Sequence, residues 1–177
     1  MGPVSSLVEV VADVLGVRRE TVSAYARALI DDGLLPKASG RRVPDVEAIH
    51  VARLLIGVAL EPKIKSVAEY VRLYGELRSE AFPDKLKNAE EFIACLVEEC
   101  ANPAKSGDEK IDDMRIEVVE SWPEIVVYDK DDGSIVRYCQ PGQGKFWRAD
   151  LRRAAKFGTH AILKICVRMQ HLREGEA

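Results

Sequence analysis

Basic side chains that could meet a phosphate are the clearest chemistry in this 177-residue sequence, and they gather in two places. Arg18, Arg19, Arg27, Lys37, Arg41 and Arg42 stand in the first stretch, and Lys145, Arg148, Arg152, Arg153 and Lys156 stand near the end. The formal net charge of −3 argues against a protein that coats nucleic acid indiscriminately. It leaves a site-specific contact open, because the local field at a contact surface matters more than the total. In the second cluster Lys145-Phe146-Trp147-Arg148 interleaves aromatics with cations, which suits a nucleic-acid backbone or a stacked base. A core tryptophan beside a solvated charged face explains the same residues and is the preferred reading.

Catalytic chemistry finds no comparable constellation, so no enzyme and no cofactor are expected. Cys95 and Cys100 lie five apart, Cys139 and Cys166 are isolated, and no histidine stands at zinc-ligand spacing from them. Reduced, buried thiols are expected, without a metal. Gly142-Gln143-Gly144-Lys145 lacks the spacing and the hydroxyl residue of a phosphate-binding loop. Asp129, Asp131 and Asp132 before Gly133 fail the register of a calcium loop. His50 falls in an apolar helix and is expected to be a hydrogen-bonded core histidine, while His160 has no nucleophile or acid to work with. No apolar run reaches the ~20 residues that span a bilayer, so no membrane partner is expected. The start of the sequence lacks the basic-then-apolar pattern of a secretory signal, and a cytoplasmic location is expected.

Composition, 47% hydrophobic and 31% charged, allows an ordinary buried core, and periodicity says which elements build it. Ser5 or Ser6 is expected to cap a helix to Leu15, with Leu7, Val8, Val11, Val14 and Leu15 inward and Gly16 as its stop. A second helix is expected from Arg19 to Asp32, with Val22, Tyr25, Ala26, Leu29 and Ile30 inward. Leu34–Lys37 and Arg41–Val43 suggest a short hairpin, limited by Pro36 and Pro44. Asp45 is expected to cap a third helix to Leu60, apolar nearly all round and therefore buried. Ser66 then starts a fourth helix over 66–78, and a fifth covers 88–101. Residues 102–108 are the clearest linker. Beyond it the period changes to two, giving strands over 114–120, 124–129 and 134–140 with Asp132-Gly133 as a hairpin turn. Residues 148–157 suit either a fourth strand or a helix, with the strand preferred, and a last helix is expected from Thr159 with Ile162, Ile165, Cys166, Met169 and Leu172 on one stripe.

The first two helices meet a demanding set of spacings. Where one helix crosses another steeply, the crossing needs a small residue, the turn a glycine with positive φ, and the second helix an inward β-branched anchor. Ala12 lies four residues before Gly16 and Val22 six after it, with Leu15, Val17 and Tyr25 at the other inward positions. The segment 8–27 resembles the helix-turn-helix of DNA-binding proteins in residue type and spacing. More weakly, to residue 43, the Gly33-Leu34-Leu35 exit and basic hairpin resemble the wing of winged-type members, although two prolines depart from a regular β-wing. The resemblance implies that the second helix enters the major groove with its N-terminal residues at base edges. Arg18, Arg19, Glu20, Ser23, Ala24 and Arg27 would then face the groove, with Arg19, Ser23 and Arg27 at bases or nearby phosphates. Thr21 would contact a phosphate, and Lys37, Arg41 and Arg42 would reach the backbone or minor groove from the hairpin.

The expected architecture is mainly α with a C-terminal α+β part. It comprises a winged-type helix-turn-helix over 1–62, a helical linker or oligomerisation segment over 63–103, and an α+β unit over 108–177 with an antiparallel hairpin and terminal helix. The expected function is sequence-specific binding of double-stranded DNA as a transcriptional regulator. The expected assembly is a homo-oligomer, a dimer first, joined through the helices at 66–78 and 88–101, with reading helices ~34 Å apart. Residues 108–177 would serve assembly, effector sensing or a protein partner. One alternative is a DNA-packaging recognition subunit, since the order of parts is similar to that of phage small terminases. The other is an adaptor that uses the same helices for protein contact.

Overall fold

The computed structural model describes residues 1–39, 43–79, 88–102, 113–130, 133–140 and 152–175. Val4–Leu15 forms α1 and Arg19–Asp31 forms α2. Both end in the same way, because a glycine can take the left-handed conformation that lets the last carbonyls be recapped. At Gly16 (φ 67°) the Val17 N–H donates to Ala12 O at 3.0 Å. At Gly33 (φ 74°) the Leu34 N–H donates to Leu29 O at 2.8 Å and the Gly33 N–H to Ile30 O at 3.1 Å. The start of α1 corrects the sequence expectation. Pro3 holds the N-cap position without a side-chain bond, and Ser5 and Ser6 lie inside the helix, because Pro favours the extended-to-helical transition.

The next helix, α3 (Ala48–Leu60), is apolar on every side, and Leu54, Leu55, Ile56 and Val51 are fully enclosed. Its cap is Glu47 rather than the expected Asp45. The Glu47 carboxylate accepts from the His50 N–H, and the His50 Nδ1 accepts from the Glu47 N–H at 2.9 Å. His50 is therefore a half-buried capping group, and burial, helped by Arg53, holds its pKa below the usual value. A short 3₁₀ turn (Ile64–Ser66) leads to α4 (Val67–Gly75), which Ser66 precedes without a side-chain cap. Gly57 lets these helices approach closely, since a Cβ there would lie 3.2 Å from Val67 Cγ2 and 3.3 Å from Val71 Cγ2. Arg78, which the sequence assigns to the end of this helix, instead forms strand β1 with Ser79. Helix α5 (Ala89–Ala101) starts on Asn88, whose side chain accepts from the Glu91 N–H at 2.9 Å.

Strands β2 (Met114–Val119), β3 (Glu124–Asp129) and β4 (Ile135–Cys139) fall where the two-residue period places them, and β5 (Ala154–Gly158) takes up the end of the segment left open between strand and helix. All pairings are antiparallel, in the order β1-β4-β3-β2-β5. Helix α6 (Thr159–Gly175) follows β5 directly. The class is α+β, with six helices and one five-stranded sheet among the described residues. None of these helices is long and apolar enough to cross a membrane. The linker at 103–108, Asp131-Asp132, Lys145-Phe146-Trp147-Arg148 and the glycine loop before it lie outside the described residues, as does Gly40-Arg41-Arg42 of the expected hairpin. In its described part, Leu34 to Pro36 forms no strand and Leu34 and Leu35 are buried.

One apolar cluster joins α1 to α6 and the inner sheet face, made by Ile116, Val118, Ile125, Val127, Tyr138 and Phe157. The stripes of α4 and α5 on which dimerisation was expected lie in this cluster, with Val67, Val71, Tyr74, Ile93 and Val97 all buried within the chain. Leu172, expected on the inward stripe of the last helix, is exposed, as is Tyr70 of α4. Cys100, Cys139 and Cys166 are buried thiols and Cys95 is half-buried. Burial pushes Cys100 up to about 11 and Cys166 up to about 12, so neither supplies thiolate near neutrality.

The sheet's outer face is polar, and two carboxylates are buried on it. Glu117 stands opposite Val126 and Lys156, and Val126 stands opposite Arg137. Arg152 joins the two acids, Nε donating to Glu117 Oε1 at 2.7 Å and Nη1 to Glu124 Oε2 at 3.0 Å. Arg137 donates to Glu124 Oε1 at 2.7 Å, Tyr128 Oη to Glu117 Oε2 at 3.1 Å and Trp122 Nε1 to Glu124 Oε2 at 2.9 Å. Burial alone would raise the Glu117 carboxyl, but bonds from Arg152, Lys156 and Tyr128 outweigh it and hold the group below its ordinary value. A depressed carboxyl stabilises the fold above the unfolded value and loses that contribution as pH falls through the folded one. Glu117→Gln is expected to destabilise the protein at neutral pH by about 3 kcal/mol. It should also flatten the acid limb of a urea-denaturation series; an unchanged limb would show that this carboxylate is not held by its cations.

Candidate nucleic-acid interface

The elbow between α1 and α2 is built as the spacing requires. Ala12 is buried where the helices meet, Val22 is fully enclosed, and Tyr25, Ala26 and Leu29 complete the inward side of α2. Gly16 carries the positive φ, and nothing lies within 4 Å of where its Cβ would stand. Its need for glycine is therefore set by the backbone alone.

Three contacts fix the remainder of α2 from behind. Tyr25 Oη donates to Pro62 O at 2.9 Å. Arg72 of α4 donates to Asp32 Oδ2 at 2.7 Å and to Asp32 O at 3.0 Å, and this bond holds the Asp32 carboxyl below its ordinary value. Arg53 of α3 donates from Nη1 to Leu34 O at 3.2 Å while Nε and Nη2 grip both oxygens of Glu90 on α5 at 3.0 and 3.2 Å. A bidentate guanidinium–carboxylate pair is geometrically rigid, so the exit of α2 is referenced to α3 and α5.

What remains of α2 is one solvent-facing side. Arg18, Arg19, Glu20, Ser23 and Arg27 are exposed, and Thr21 and Ala24 are partly so. The side chains of Arg18, Ser23 and Arg27 have no hydrogen-bond or ion-pair partner among the described residues. Arg19 reaches back to α1, where Nη2 lies 2.5 Å from Glu9 Oε1 with both side chains at least half exposed. Arg19, Ser23 and Arg27 line a shallow groove with Val4, Ser5 and Val8 of α1. Lys37 is exposed beyond the end of α2. Arg41 and Arg42 lie outside the described residues.

Acidic groups share this side of the molecule. Glu9 and Asp13, one turn apart on α1, stand next to the exposed side of α2, and Glu20 and Asp31 are on α2 itself. Asp13 is paired with Arg168 of α6. Sequence periodicity assigned α6 by its inward stripe alone, so this contact went unseen. The signal for it was the four-residue spacing of His160, Lys164 and Arg168.

The second basic cluster is occupied differently. Arg152 and Lys156 belong to the ion network on the sheet, and Arg153 is exposed with its backbone tied to Ser121 and Glu120. Among the described residues no group of three or more histidines, cysteines or carboxylates could hold a metal ion. A comparison with protein-family models, curated proteins and solved structures finds no match to the chain.

Gly16→Ala is expected to cost about 1–2 kcal/mol in stability, because a left-handed backbone disfavours any Cβ even in open space. Urea denaturation measures it, and a neutral substitution would contradict the glycine elbow.

Proposed function

We propose that this protein binds double-stranded DNA in a sequence-specific manner, as a transcriptional regulator does, by placing the N-terminal half of α2 in the major groove. The observation that carries the reading is the contrast between the two sides of one short helix. Val22, Tyr25, Ala26 and Leu29 are buried behind a glycine elbow, while Ser23 and Arg27 face solvent. A helix held on its back and left with arginine and serine on its front matches what a reading helix requires.

Arg27 and Arg19 supply bidentate donors for guanine O6 and N7, and Ser23 serves either base type. The Arg19–Glu9 pair is no obstacle, since an exposed ion pair contributes under ~1 kcal/mol and a phosphate or guanine can replace it. Thr21 and Arg18 flank the groove side and would meet phosphate oxygens. Lys37, with Arg41 and Arg42 of the winged-type segment, would add backbone contacts that carry no sequence information.

Arg27→Ala is expected to weaken binding to a selected site by about 1–3 kcal/mol, and Arg19→Ala with Arg27→Ala by more. Lys37→Ala should weaken selected and random duplexes alike and reduce the salt slope by about 0.9. Site selection followed by fluorescence anisotropy measures all three. Unchanged affinity in the Arg19/Arg27 double variant would remove α2 as the reading element.

A further inference from the structure

We infer that α6 is a second DNA-contacting element, whose outward basic stripe meets the phosphate backbone beside the groove that α2 enters. The inference rests on the proposed DNA-binding reading of α2 and names a part of the contact surface that lies about 150 residues away in sequence.

Helical geometry places His160, Lys164, Arg168 and His171 on one side of α6, because residues three and four apart share a face. The opposite side, Ile162, Ile165, Cys166 and Met169, is buried against the core. All four basic residues are exposed. The helix lies against α1, and Arg168 pairs with Asp13 there. One surface concavity brings Asp13 and Val14 of α1 together with Leu163, Lys164, Val167 and Arg168 of α6. A neighbouring one brings the same Asp13 together with Glu9, Gly16 and Arg19. Asp13 is thus shared by two adjoining surfaces, one leading to the start of α2 and the other to α6.

Charge decides what this continuous surface can meet. The exposed face of α1 offers two carboxylates, and each is paired from a different side: Glu9 by Arg19 and Asp13 by Arg168. Lys164 and Arg18 stand beyond those pairs with no partner among the described residues. Arg18, Arg19, Arg27, Lys164 and Arg168 against Glu9, Asp13, Glu20 and Asp31 leave an excess of one positive charge, five against four, before either histidine is protonated. A duplex seated on α2 extends past the groove in both directions, and its phosphates are the one feature that repeats along it. An excess of cations adjoining the reading helix fits that backbone. The apolar residues Leu163 and Val167 lie in the concavity, while the cations Lys164 and Arg168 supply the stripe that would meet phosphate.

The test uses the full chain and a mixed-sequence duplex of about 30 base pairs, titrated by anisotropy over a salt series. Lys164→Gln with Arg168→Gln is expected to weaken binding about three- to tenfold and to make the slope of log K against log salt shallower by about 1.8. Lys164→Gln alone breaks no ion pair and should lower the slope by about 0.9. Asp13→Asn removes the carboxylate that competes for Arg168, and should tighten binding several-fold. Circular dichroism melts confirm that each variant is folded. If the wild type binds and Arg19→Ala with Arg27→Ala weakens it, while the Lys164 and Asp13 variants leave affinity and slope unchanged, the inference about α6 is overturned and the α2 reading stands. If the wild-type chain binds no duplex even at low salt, both are overturned.

Discussion

A helix with apolar side chains all round cannot rest on a surface, and α3 must be enclosed on every side before it is stable in water. Burying one Leu or Ile side chain contributes about 1.5–3 kcal/mol, and α3 encloses Val51, Leu54, Leu55, Ile56, Val58 and Leu60 along its length. The enclosure recruits α2, α4, α5 and the inner face of the sheet. Every other element inherits its place from that requirement. The back of α2 is used up in it, and only the front remains for anything else. If α2 is the reading helix proposed above, so many fixed contacts behind it leave its side chains little freedom to lose on binding.

Two populations of cations then separate by what surrounds them. On the sheet, Arg137, Arg152 and Lys156 pair with the two buried carboxylates Glu117 and Glu124, and the three cations are held by that pairing. Arg152 also lies over the Trp122 ring, 5.6 Å from its centroid. Removing one partner of a buried pair strands the other without water, which is why such groups are structural. On α2 and α6 the cations are exposed and either unpartnered or paired with exposed acids. The same residue types thus do opposite work, and sequence clustering alone gives them equal weight.

Much of the architecture is legible because it depends on local signals. Gly16 and Gly33 mark helix ends through a backbone conformation that other residues avoid, and Asn88 marks a start through a side chain that can reach the Glu91 N–H. Alternation over 114–140 identifies three strands because one face of the sheet is apolar. What fails is decided by partners distant in sequence. Arg78-Ser79 becomes a strand only because the edge of β4 is there to pair with it, Arg78 opposite Cys139. Glu47 displaces Asp45 as a cap because His50 can complete a reciprocal bond three residues on. The apolar stripes of α4 and α5 read as exposed faces needing a second chain, since the pattern gives burial without saying by what. At the candidate interface the exposed side of α2 is legible, but its acidic neighbours on α1 and the helix that neutralises Asp13 are not.

On the proposed reading, an acidic chain that binds DNA must keep its carboxylates from facing phosphates unscreened, and the ridge formed by Glu9 and Asp13 is where that problem would arise. Two like charges one turn apart repel each other as well as a duplex, so a cation from each side relieves both effects. Because Arg19 and Arg168 are exposed, each pairing is worth under ~1 kcal/mol and can be exchanged for a phosphate or a base at little cost. A buried pair could not be exchanged in that way, as the sheet network illustrates. Weak pairing at the ridge is thus what would allow one arginine to neutralise the free protein and, on the proposed reading, to contact a bound duplex. The strength of the interface becomes a balance between phosphates and two carboxylates competing for the same guanidinium groups. Such a balance shifts with salt concentration less steeply than it would for cations with no acid beside them, since the carboxylate freed by each exchange takes up a counterion of its own and salt weakens the competing pair as well.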